Sequence, residues 1–267
     1  MIKRTISEKI LHYARQYPVV TLTGPRQSGK TTLCKALFPK KKYLSLENID
    51  IRDYAKTDPR SFLGGCLKEG AVIDEIQRVP ELVSYIQEIV DTKDKAGLFI
   101  LTGSQNFHLL DTISQSLAGR TALAVLLPFS YSEIYSHKAI PIDKVLLTGF
   151  YPRIHDKKLN PAEALSFYVS TYLERDIRAL INVKDISKFE KFIKLCAGRA
   201  AQIVNLSNLA NDCGINHNTA KSWLGVLEAS YVIFFARPHH ANFGKRLIKA
   251  PKLYFTDCGL AAYLLDI

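Results

Sequence analysis

The pattern of apolar and polar residues differs between the two halves of the chain: short apolar runs dominate the first half and helix-like periods the second. Apolar residues recur close to every 3.6 positions over residues 2–17, which predicts an amphipathic helix. Five short apolar runs then alternate with helical or turn sequence, at residues 19–23, 43–46, 71–76, 98–104 and 121–127. Apolar runs of this length fit strands buried on both faces of a parallel sheet. The first half therefore predicts an α/β fold, a parallel sheet with helices on both faces.

From residue 128 onward the strands give way to helices. The pattern predicts a long helix from Asn160-Pro161 to residue 181 and another over 187–197. Two short helices then flank Gly214, with the spacing of a helix-turn-helix. Apolar strands at 231–235 and 252–257 complete the hairpin of a winged helix. These changes predict three parts: a sheet domain over 1–130, a helical linker or lid over 131–200 and a winged-helix domain over 201–267.

Composition narrows the class of protein. The 267 residues are 47% hydrophobic, which is ordinary for a folded chain. No apolar run approaches the roughly 18 residues of a membrane span, and the N-terminal residues soon become charged, unlike a signal peptide. Five scattered cysteines without a C-x-x-C pair argue against a disulfide framework and against structural zinc. We therefore expect a soluble, cytoplasmic protein that does not act at a membrane.

The net charge of +11 is unevenly distributed. Residues 1–45 carry +9 and residues 187–252 carry +7, whereas residues 46–186 carry −3. Basic flanks around a mildly acidic middle are typical of a protein that contacts nucleic acid. A lysine-rich solvated surface gives the same pattern, so charge leaves both interpretations open.

Candidate chemistry begins immediately after the first predicted strand. Residues 24–31 read G-x-x-x-x-G-K-T, and a helical segment follows directly. A strand, a loop and a helix in this order direct backbone N–H groups and a helix N-terminus at a polyphosphate, a context that a chance glycine-rich turn lacks. We expect Lys30 to reach the β- and γ-phosphates and the Thr31 hydroxyl to bind Mg²⁺. The residues expected to contact ATP are Gly24, Pro25, Arg26, Gln27, Ser28, Gly29, Lys30, Thr31 and Thr32.

The third apolar run ends in two acids, Asp74 and Glu75. Carboxylates at the C-terminal end of a buried parallel strand lie at the sheet edge where ligands bind. This is the Walker B pattern, in which Asp74 would hold Mg²⁺ directly or through water and Glu75 would polarise the attacking water. A strand that ends in a solvated acidic turn is the alternative. Together with the predicted phosphate-binding loop at residues 24–31, the pattern predicts Mg²⁺-assisted hydrolysis of the γ-phosphate.

Two further residues are candidates for contact with the γ-phosphate. Ser104, with Gln105 beside it, ends the fourth run, where a hydroxyl or amide can hydrogen-bond the phosphate or the attacking water. Arg120 joins a helix predicted over residues 107–117 to the fifth run, and we expect it near the nucleotide edge of the sheet. There it would contact phosphate in its own chain or in a neighbouring subunit of a homo-oligomer. An arginine that only ties the loop to the domain surface is the equal alternative.

The second helix of the predicted helix-turn-helix exposes a polar set of side chains, His217, Asn218, Thr219, Lys221 and Ser222. These side chains suit contacts with duplex DNA, but only Lys221 brings full positive charge to the helix. Winged helices also dock proteins and act as intramolecular lids. Duplex DNA and a protein partner therefore both stay open.

Stretches along almost the whole chain resemble a family of bacterial and archaeal AAA-superfamily ATP-binding proteins. They are LTGPRQSGKTT (22–32), VIDEIQRVPEL (72–82), LTGS (101–104), SLAGR (116–120), YLERDI (172–177), LANDCGI (209–215), KRL (245–247) and APKLYFTDCGL (250–260). The resemblance implies an AAA-type P-loop ATPase core followed by a domain of unknown function that contains a winged helix. Family members usually continue past the position of Ile267 into a region that resembles restriction-endonuclease-like nucleases. The sequence ends before that region, so we expect any nuclease role to be lost.

Competing hypotheses share the phosphate-binding loop. The leading one is an ATPase that hydrolyses ATP to ADP and phosphate and thereby repositions the winged helix, which acts on DNA or on a protein partner. A nucleotide-dependent switch or scaffold with slow turnover is the second, and a DNA-binding regulator with a remnant ATP site is the third. A small-molecule kinase fits less well, because of the Asp-Glu pair and the downstream winged helix.

Overall fold

The computed structural model describes residues 2–93, 95–103, 116–136, 139–172, 185–239 and 250–267. The chain divides into two units, Met1–Leu127 and Pro128–Ile267. A short 3₁₀ helix, Ile76–Arg78, follows the third strand of the first unit. The other elements of this unit are α1 (Ser7–Gln16), β1 (Val19–Thr23), α2 (Lys30–Leu37), β2 (Lys42–Ser45), α3 (Ile49–Thr57), α4 (Pro59–Gly64), β3 (Ala71–Asp74), α5 (Leu82–Lys93), β4 (Phe99–Thr102) and β5 (Thr121–Val125).

The five strands of the first unit form one sheet of order β2-β3-β4-β1-β5. Every pair in it is parallel: β1 pairs with β4 and β5, and β3 pairs with β2 and β4. The carboxyl ends of the strands therefore lie at one edge, where the loops after β1, β3 and β4 come together. The predicted parallel sheet is confirmed.

Side chains alternate between the two faces of this sheet, and helices cover both faces. On one face Val20, Leu22 and Ile100 pack against Ile10 of α1 and Leu33 of α2. The opposite face packs against α4 and α5, through the residues Val19, Ile73, Phe99, Leu101, Phe62, Leu82 and Ile86. The three central strands, β1, β3 and β4, are buried at every position, which explains their largely apolar sequences, whereas the edge strands β2 and β5 are only partly buried.

The second unit is mostly helical. Its β6 and β7 form an antiparallel pair, and Gly214, with a left-handed backbone (φ 68°), ends the helix before it. The elements are α6 (Tyr131–Tyr135), α7 (Ile142–Thr148), α8 (Pro152–Lys157), α9 (Pro161–Tyr168), α10 (Ile186–Gly198), α11 (Leu206–Cys213), α12 (His217–Ala229), β6 (Ile233–Ala236), β7 (Lys252–Phe255) and α13 (Cys258–Leu264). The two helices around Gly214 and the two strands lie where the sequence predicted them.

One buried cluster extends through the second unit, from Tyr151 to Leu264. At its centre the rings of Phe189 and Phe192 in α10 meet Trp223 of α12 edge to face. The cluster takes residues from both of the predicted parts, 131–200 and 201–267. The division of these residues into a linker or lid and a winged-helix domain stays a prediction, as does the boundary at residue 130.

Some predicted helices differ from the structure or lie outside it. The first begins at Ser7 rather than at residue 2, and the preceding segment instead buries the side chain of Arg4. The helix predicted over 107–117 falls mostly outside the described residues, and the one predicted to residue 181 is described only as far as residue 172. Within the described ranges, no helix is long and apolar enough to cross a membrane.

Candidate functional site

The loop after β1, residues 24–30, has a backbone conformation that depends on its glycines. Gly24 (φ 147°) lies against the end of β5, where a Cβ would clash with the carbonyl oxygen of Leu126. Gln27 (φ 62°) and Gly29 (φ 89°) are also left-handed, a conformation that glycine adopts at little cost. Helix α2 begins at Lys30, the last residue of this loop. The phosphate-binding loop (24–30) thus leads into a helix N-terminus, whose partial positive charge favours an anion.

Lys30 turns into this loop and is only 7% exposed. Its Nζ donates to the carbonyl oxygens of Gly24 at 3.0 Å and Pro25 at 2.8 Å. Burial lowers the pKa of Lys30 to about 8, while the carboxylates of Glu75 and Asp74 act in the opposite direction. The ammonium group is therefore held by neutral carbonyl oxygens that an anionic phosphate oxygen can replace with stronger hydrogen bonds.

Asp74, the last residue of β3, is 4% exposed and accepts hydrogen bonds from three hydroxyl groups. Thr31 Oγ1 of α2 donates to its Oδ2 at 2.7 Å, and Tyr43 OH of β2 donates to the same oxygen at 2.6 Å. Thr102 Oγ1, at the end of β4, donates to Oδ1. Burial and the hydrogen bond to Asp74 raise the pKa of Tyr43, so its hydroxyl remains a donor. The cluster presents only oxygen atoms, the ligands that Mg²⁺ prefers.

Glu75 follows Asp74 in a left-handed conformation (φ 60°) that is uncommon for a residue with a side chain. The residue is half-buried, and Gln77 Nε2 donates to its Oε2. Burial raises the pKa of Glu75, while the nearby Lys30 ammonium opposes the shift. A carboxylate with a raised pKa at the ligand edge of a sheet is suited to accept a proton.

One side chain of the loop, Ser28, and one beside it, Arg4, carry further information about the ligand that would fit here. Ser28 Oγ is buried and has no hydrogen-bond partner among the described residues. Arg4 is 6% exposed and donates from Nη1 to the carbonyl oxygen of Ser28 at 2.9 Å and from Nη2 to that of Leu127 at 2.7 Å. A buried hydroxyl without a partner is costly. A phosphate oxygen would supply the acceptor that Ser28 lacks.

The structure brings most of the predicted nucleotide contacts to one edge of the sheet. Of the loop residues, Arg26 and Gln27 are exposed, as is Thr32 in the first turn of α2. Those buried are Gly24, Pro25, Ser28 and Lys30. Thr31 and Asp74, predicted together as Mg²⁺ ligands, are hydrogen-bonded to each other. Which of these residues contact a nucleotide stays a prediction.

Arg120 lies at the opposite edge of the sheet, so the expectation that it sits near the nucleotide edge is wrong. Its carbonyl oxygen accepts the N–H of Val19, the first residue of β1. Five residues of β1, at roughly 3.3 Å each, separate this edge from the loop. The Arg120 guanidinium donates to both carboxylate oxygens of Asp91 in α5. The physical reason is the direction of the chain: Arg120 precedes β5 and so lies at the amino end of that strand, whereas ligand-binding loops follow the carboxyl ends of the strands.

Ser104 and Gln105 lie outside the described residues, so their contacts with the γ-phosphate stay predictions. The hydroxyl that β4 brings to the site is that of Thr102. Pairing of Ile73 with Leu101 places Asp74 beside Thr102, the next residue along β4.

Sequence reasoning missed Arg4, Tyr43, Gln77 and Thr102. The sheet order would have indicated Tyr43 and Thr102, because β2 and β4 lie on either side of β3. Gln77 follows the acidic pair so closely that its contact with Glu75 could have been considered. Arg4 stands in a segment that the periodicity assigned to a helix, and no pattern connects it with a carbonyl group 24 residues away.

In the second unit, α12 exposes His217, Asn218, Lys221 and Ser222, while Thr219 is half-buried. Three basic side chains on the neighbouring α10 and just after it form ion pairs within the unit. The pairs are Lys188 with Asp185 at 3.5 Å, Lys194 with Asp266 at 2.9 Å, and Arg199 with Asp212. This part of the surface therefore offers less positive charge than the sequence count over 187–252 suggests.

Family models match both halves of the chain. Residues 16–135 match an AAA domain, and residues 139–267 match a domain of unknown function (DUF8612). Two curated relatives, uncharacterised proteins of Mycobacterium bovis and Mycobacterium tuberculosis, are each 31% identical over 270 residues, which is 99% of this chain and 60% of the relative. The chain thus spans 60% of the length of these relatives.

Among solved structures, a Walker-type ATPase of Pyrococcus abyssi is similar over 99% of this chain and 96% of its own, with a TM-score of 0.63 and 15% identity. At that identity the likeness concerns the fold. The first half of the chain thus matches an AAA domain, and its five-stranded parallel sheet with the loop after β1 has the α/β fold of P-loop NTPases.

Proposed function

We propose that the protein is a Mg²⁺-dependent ATPase that couples its nucleotide state to a winged-helix region formed by α11, α12, β6 and β7. The observation that carries the proposal is the hydrogen bond of 2.7 Å between Thr31 Oγ1 and Asp74 Oδ2. It joins the start of the helix after the phosphate-binding loop to the end of β3, the two places from which P-loop NTPases hold Mg²⁺. Lys30 and Glu75 flank this pair.

The groups around the loop fit a nucleoside triphosphate with Mg²⁺. Ser28 Oγ is a buried hydroxyl in need of an acceptor, and Lys30 Nζ is held by carbonyl oxygens that phosphate oxygens can replace. Asp74 and Thr31 offer two oxygen ligands, and phosphate and water oxygens would complete the set. When bound, Mg²⁺ would offset the negative charge of the β- and γ-phosphate oxygens.

Glu75 is the residue that we assign as the acceptor of the proton from the attacking water. Burial raises the pKa of its carboxyl, which makes it a stronger base than an exposed glutamate. Its hydrogen bond from Gln77 Nε2 must be exchanged for one from water before the reaction. Lys30 would stabilise the negative charge of the transferred phosphoryl group.

The substitution Glu75→Gln tests the proposal, because glutamine keeps the size of the side chain and removes the base. We expect phosphate release with ATP and Mg²⁺ to fall roughly 100-fold or more, while ATP stays bound. Glu69→Gln is the matched control, since Glu69 is exposed and precedes the other end of β3; it should leave phosphate release unchanged. Release that persists in Glu75→Gln would contradict the assignment of hydrolysis to this site.

A nucleotide-dependent switch or scaffold with slow turnover is the second candidate. Two contacts favour it: Gln77 Nε2 donates to Glu75, and Lys30 Nζ donates to loop carbonyl groups, so both side chains must exchange partners before hydrolysis. A single-turnover experiment distinguishes the candidates. An ATPase converts its bound ATP to ADP unaided, whereas a switch retains ATP until a partner binds.

Duplex DNA or a protein is the partner proposed for α12. The exposed His217, Asn218, Lys221 and Ser222 favour DNA, and the ion pairs around α10 weigh against it. DNA affinity that falls by orders of magnitude between roughly 50 and 200 mM salt would indicate several phosphate contacts. Such binding without any ATP hydrolysis would favour a DNA-binding regulator with a remnant ATP site. A lack of binding at low salt would favour a protein partner.

We also propose a homo-oligomer in which Arg120 contacts a phosphate group bound to a neighbouring subunit. Within its own chain Arg120 pairs with Asp91, so a phosphate would have to displace this carboxylate. Turnover per molecule that rises with protein concentration would support the oligomer.

A further inference from the structure

Arg4 lies before α1 and buries its guanidinium group beside the phosphate-binding loop. Nη1 donates to the carbonyl oxygen of Ser28 at 2.9 Å, and Nη2 donates to that of Leu127 at 2.7 Å. A buried guanidinium group is tolerated only when its N–H groups are paired. The two carbonyl groups therefore hold Arg4 in place, and Arg4 in turn fixes the positions of both carbonyl groups.

The contact with Ser28 determines the orientation of one peptide group in the loop. In a planar trans peptide, the carbonyl group and the following N–H point in opposite directions. Because the Ser28 carbonyl is turned toward Arg4, the N–H of Gly29 is turned away from it. Gly29 is the N-cap of α2, and N–H groups at such a helix start are those that contact phosphate.

The contact with Leu127 connects the same loop to the end of β5. Leu126 N–H donates to the carbonyl oxygen of Thr23 at 2.8 Å, and Gly24 lies so close to Leu126 that a Cβ would clash. Residues 126–127 thus touch the loop at its first residue and, through Arg4, near its last. The next residue in the chain, Pro128, begins the second unit.

We propose that Arg4 is a positioning residue that orients the Ser28–Gly29 peptide for phosphate binding and links the loop to the segment leading into the second unit. The inference rests on the proposed function, since it needs a nucleotide in the loop. It adds a residue outside the G-x-x-x-x-G-K-T pattern to the nucleotide site and a route by which that site is connected to the rest of the chain.

The first test compares ADP binding by calorimetry for the full chain with Arg4→Ala, Arg4→Lys or Lys3→Ala. Arg4→Ala should weaken ADP binding roughly ten- to a hundred-fold. Arg4→Lys should restore part of the loss, because an ammonium group keeps the charge but lacks the planar fork that reaches two carbonyl groups. Lys3→Ala is the matched control: Lys3 is exposed and pairs with exposed Glu8 at 3.5 Å, so ADP binding should not change.

A second test separates positioning from simple support of the fold. In the unsubstituted protein, saturating ADP should slow hydrogen exchange both in peptides of the loop and in peptides that cover residues 127–131, which reach the loop through Arg4. In Arg4→Ala, at ADP concentrations that saturate the variant, the loop should still respond and residues 127–131 should not. Circular dichroism without nucleotide shows whether each variant is folded, and Arg4→Lys takes the place of Arg4→Ala if the alanine variant is not.

Each result has a definite consequence. Equal ADP affinity in folded Arg4→Ala and in the unsubstituted protein would overturn the inference and leave the proposed function intact. A response of residues 127–131 that survives in the variant would overturn the link to the segment that leads into the second unit. If the unsubstituted protein binds neither ADP nor ATP, the proposed function fails, and the inference fails with it.

Discussion

A buried aspartate stands in each of the two units, and the two carboxylates differ in the groups that donate to them. Asp257, at the start of α13, is 1% exposed and accepts hydrogen bonds from the backbone N–H groups of Phe150 at 2.6 Å and Leu260 at 2.7 Å. Asp74, at the end of β3, accepts hydrogen bonds from three side-chain hydroxyls, those of Thr31, Tyr43 and Thr102.

The kind of donor decides whether a buried carboxylate can change its partners. Hydroxyl groups rotate and accept as well as donate, so a metal ion can replace them around Asp74 without disturbing the backbone. Backbone N–H groups only donate and cannot turn away. Asp257 therefore fastens the turn at Gly149 and Phe150, where a Cβ on Gly149 would clash with the carboxylate. Burial alone does not distinguish an exchangeable site from a structural one.

The largest effect should come from replacing each aspartate with asparagine. We expect Asp74→Asn to lower turnover roughly 100-fold or more, because a neutral amide is a weaker Mg²⁺ ligand than a carboxylate. Its stability should change little, since the new NH₂ group can donate to a hydroxyl oxygen. Asp257→Asn should instead lower the free energy of unfolding by about 1–3 kcal/mol, because its NH₂ group would face a backbone N–H. Phosphate release and urea unfolding measure the two effects.

Each variant serves as the other's control. Folded Asp257→Asn should bind nucleotide as the unsubstituted protein does, and Asp74→Asn should unfold at nearly the same urea concentration. If Asp74→Asn unfolds the first unit, Asp74 is a structural carboxylate as well. If folded Asp257→Asn loses nucleotide binding, Asp257 is not purely structural.

The next largest effect is a pH dependence of the free energy of unfolding, caused by the titration of Asp257. Burial raises the pKa of Asp257 to about 6, although three backbone hydrogen bonds act against the shift, whereas an unfolded aspartate has a pKa near 3.9. Between these values the folded state binds more protons, so this contribution to stability is fully present below about pH 4 and is lost as the pH rises through about 6. The loss should amount to about 2–3 kcal/mol.

Urea unfolding at several pH values between 4 and 7 checks this expectation. Other carboxylates also titrate in this range, so the quantity to follow is the difference in unfolding free energy between the unsubstituted protein and Asp257→Asn. That difference should shrink as the pH rises from about 4 to about 6. A difference that is constant or grows would mean that the ionised carboxylate is stabilised by its backbone donors.

The sequence predicted the features that depend on local pattern. Short, mostly apolar runs predicted the parallel strands, and the order of strand, glycine loop and helix predicted the surroundings of Lys30. The same reasoning placed Asp74 and Glu75 at the carboxyl edge. The direction of a parallel strand was also available from the sequence, and applying it would have put Arg120 at the amino edge.

Contacts between distant segments could not be predicted in the same way. Arg4 is hydrogen-bonded to the carbonyl oxygen of Leu127, 123 residues away. Any residue type can supply a backbone carbonyl group, so neither the amino-acid types nor the apolar periodicity indicates such a contact. Tyr43 reaches Asp74 because β2 is the neighbour of β3, and strand order follows from the packing of the whole sheet. A tyrosine in an apolar run looks like a core residue until the sheet is known.

Tyr43 allows the smallest and most specific test of the hydroxyl cluster. Tyr43→Phe removes one of the three donors to Asp74, while the aromatic ring keeps its place beneath the Lys35 ammonium, 3.8 Å from the ring centroid. Without that donor the carboxylate is held less firmly in the position from which it would bind Mg²⁺. We expect the Mg²⁺ concentration for half-maximal nucleotide binding to rise about three- to ten-fold, measured with a fluorescent ATP analogue.

The matched control is Tyr54→Phe, which removes a hydroxyl from an exposed tyrosine of α3 outside the cluster and should leave the Mg²⁺ dependence unchanged. Nucleotide binding in EDTA separates the two roles that Tyr43 can have. If Tyr43 acts through Asp74, binding without Mg²⁺ should be the same in Tyr43→Phe and in the unsubstituted protein. Equal weakening with and without Mg²⁺ would mean that the tyrosine supports the fold of the loop rather than the metal ligand, and the cluster around Asp74 would then be structural, like the one around Asp257.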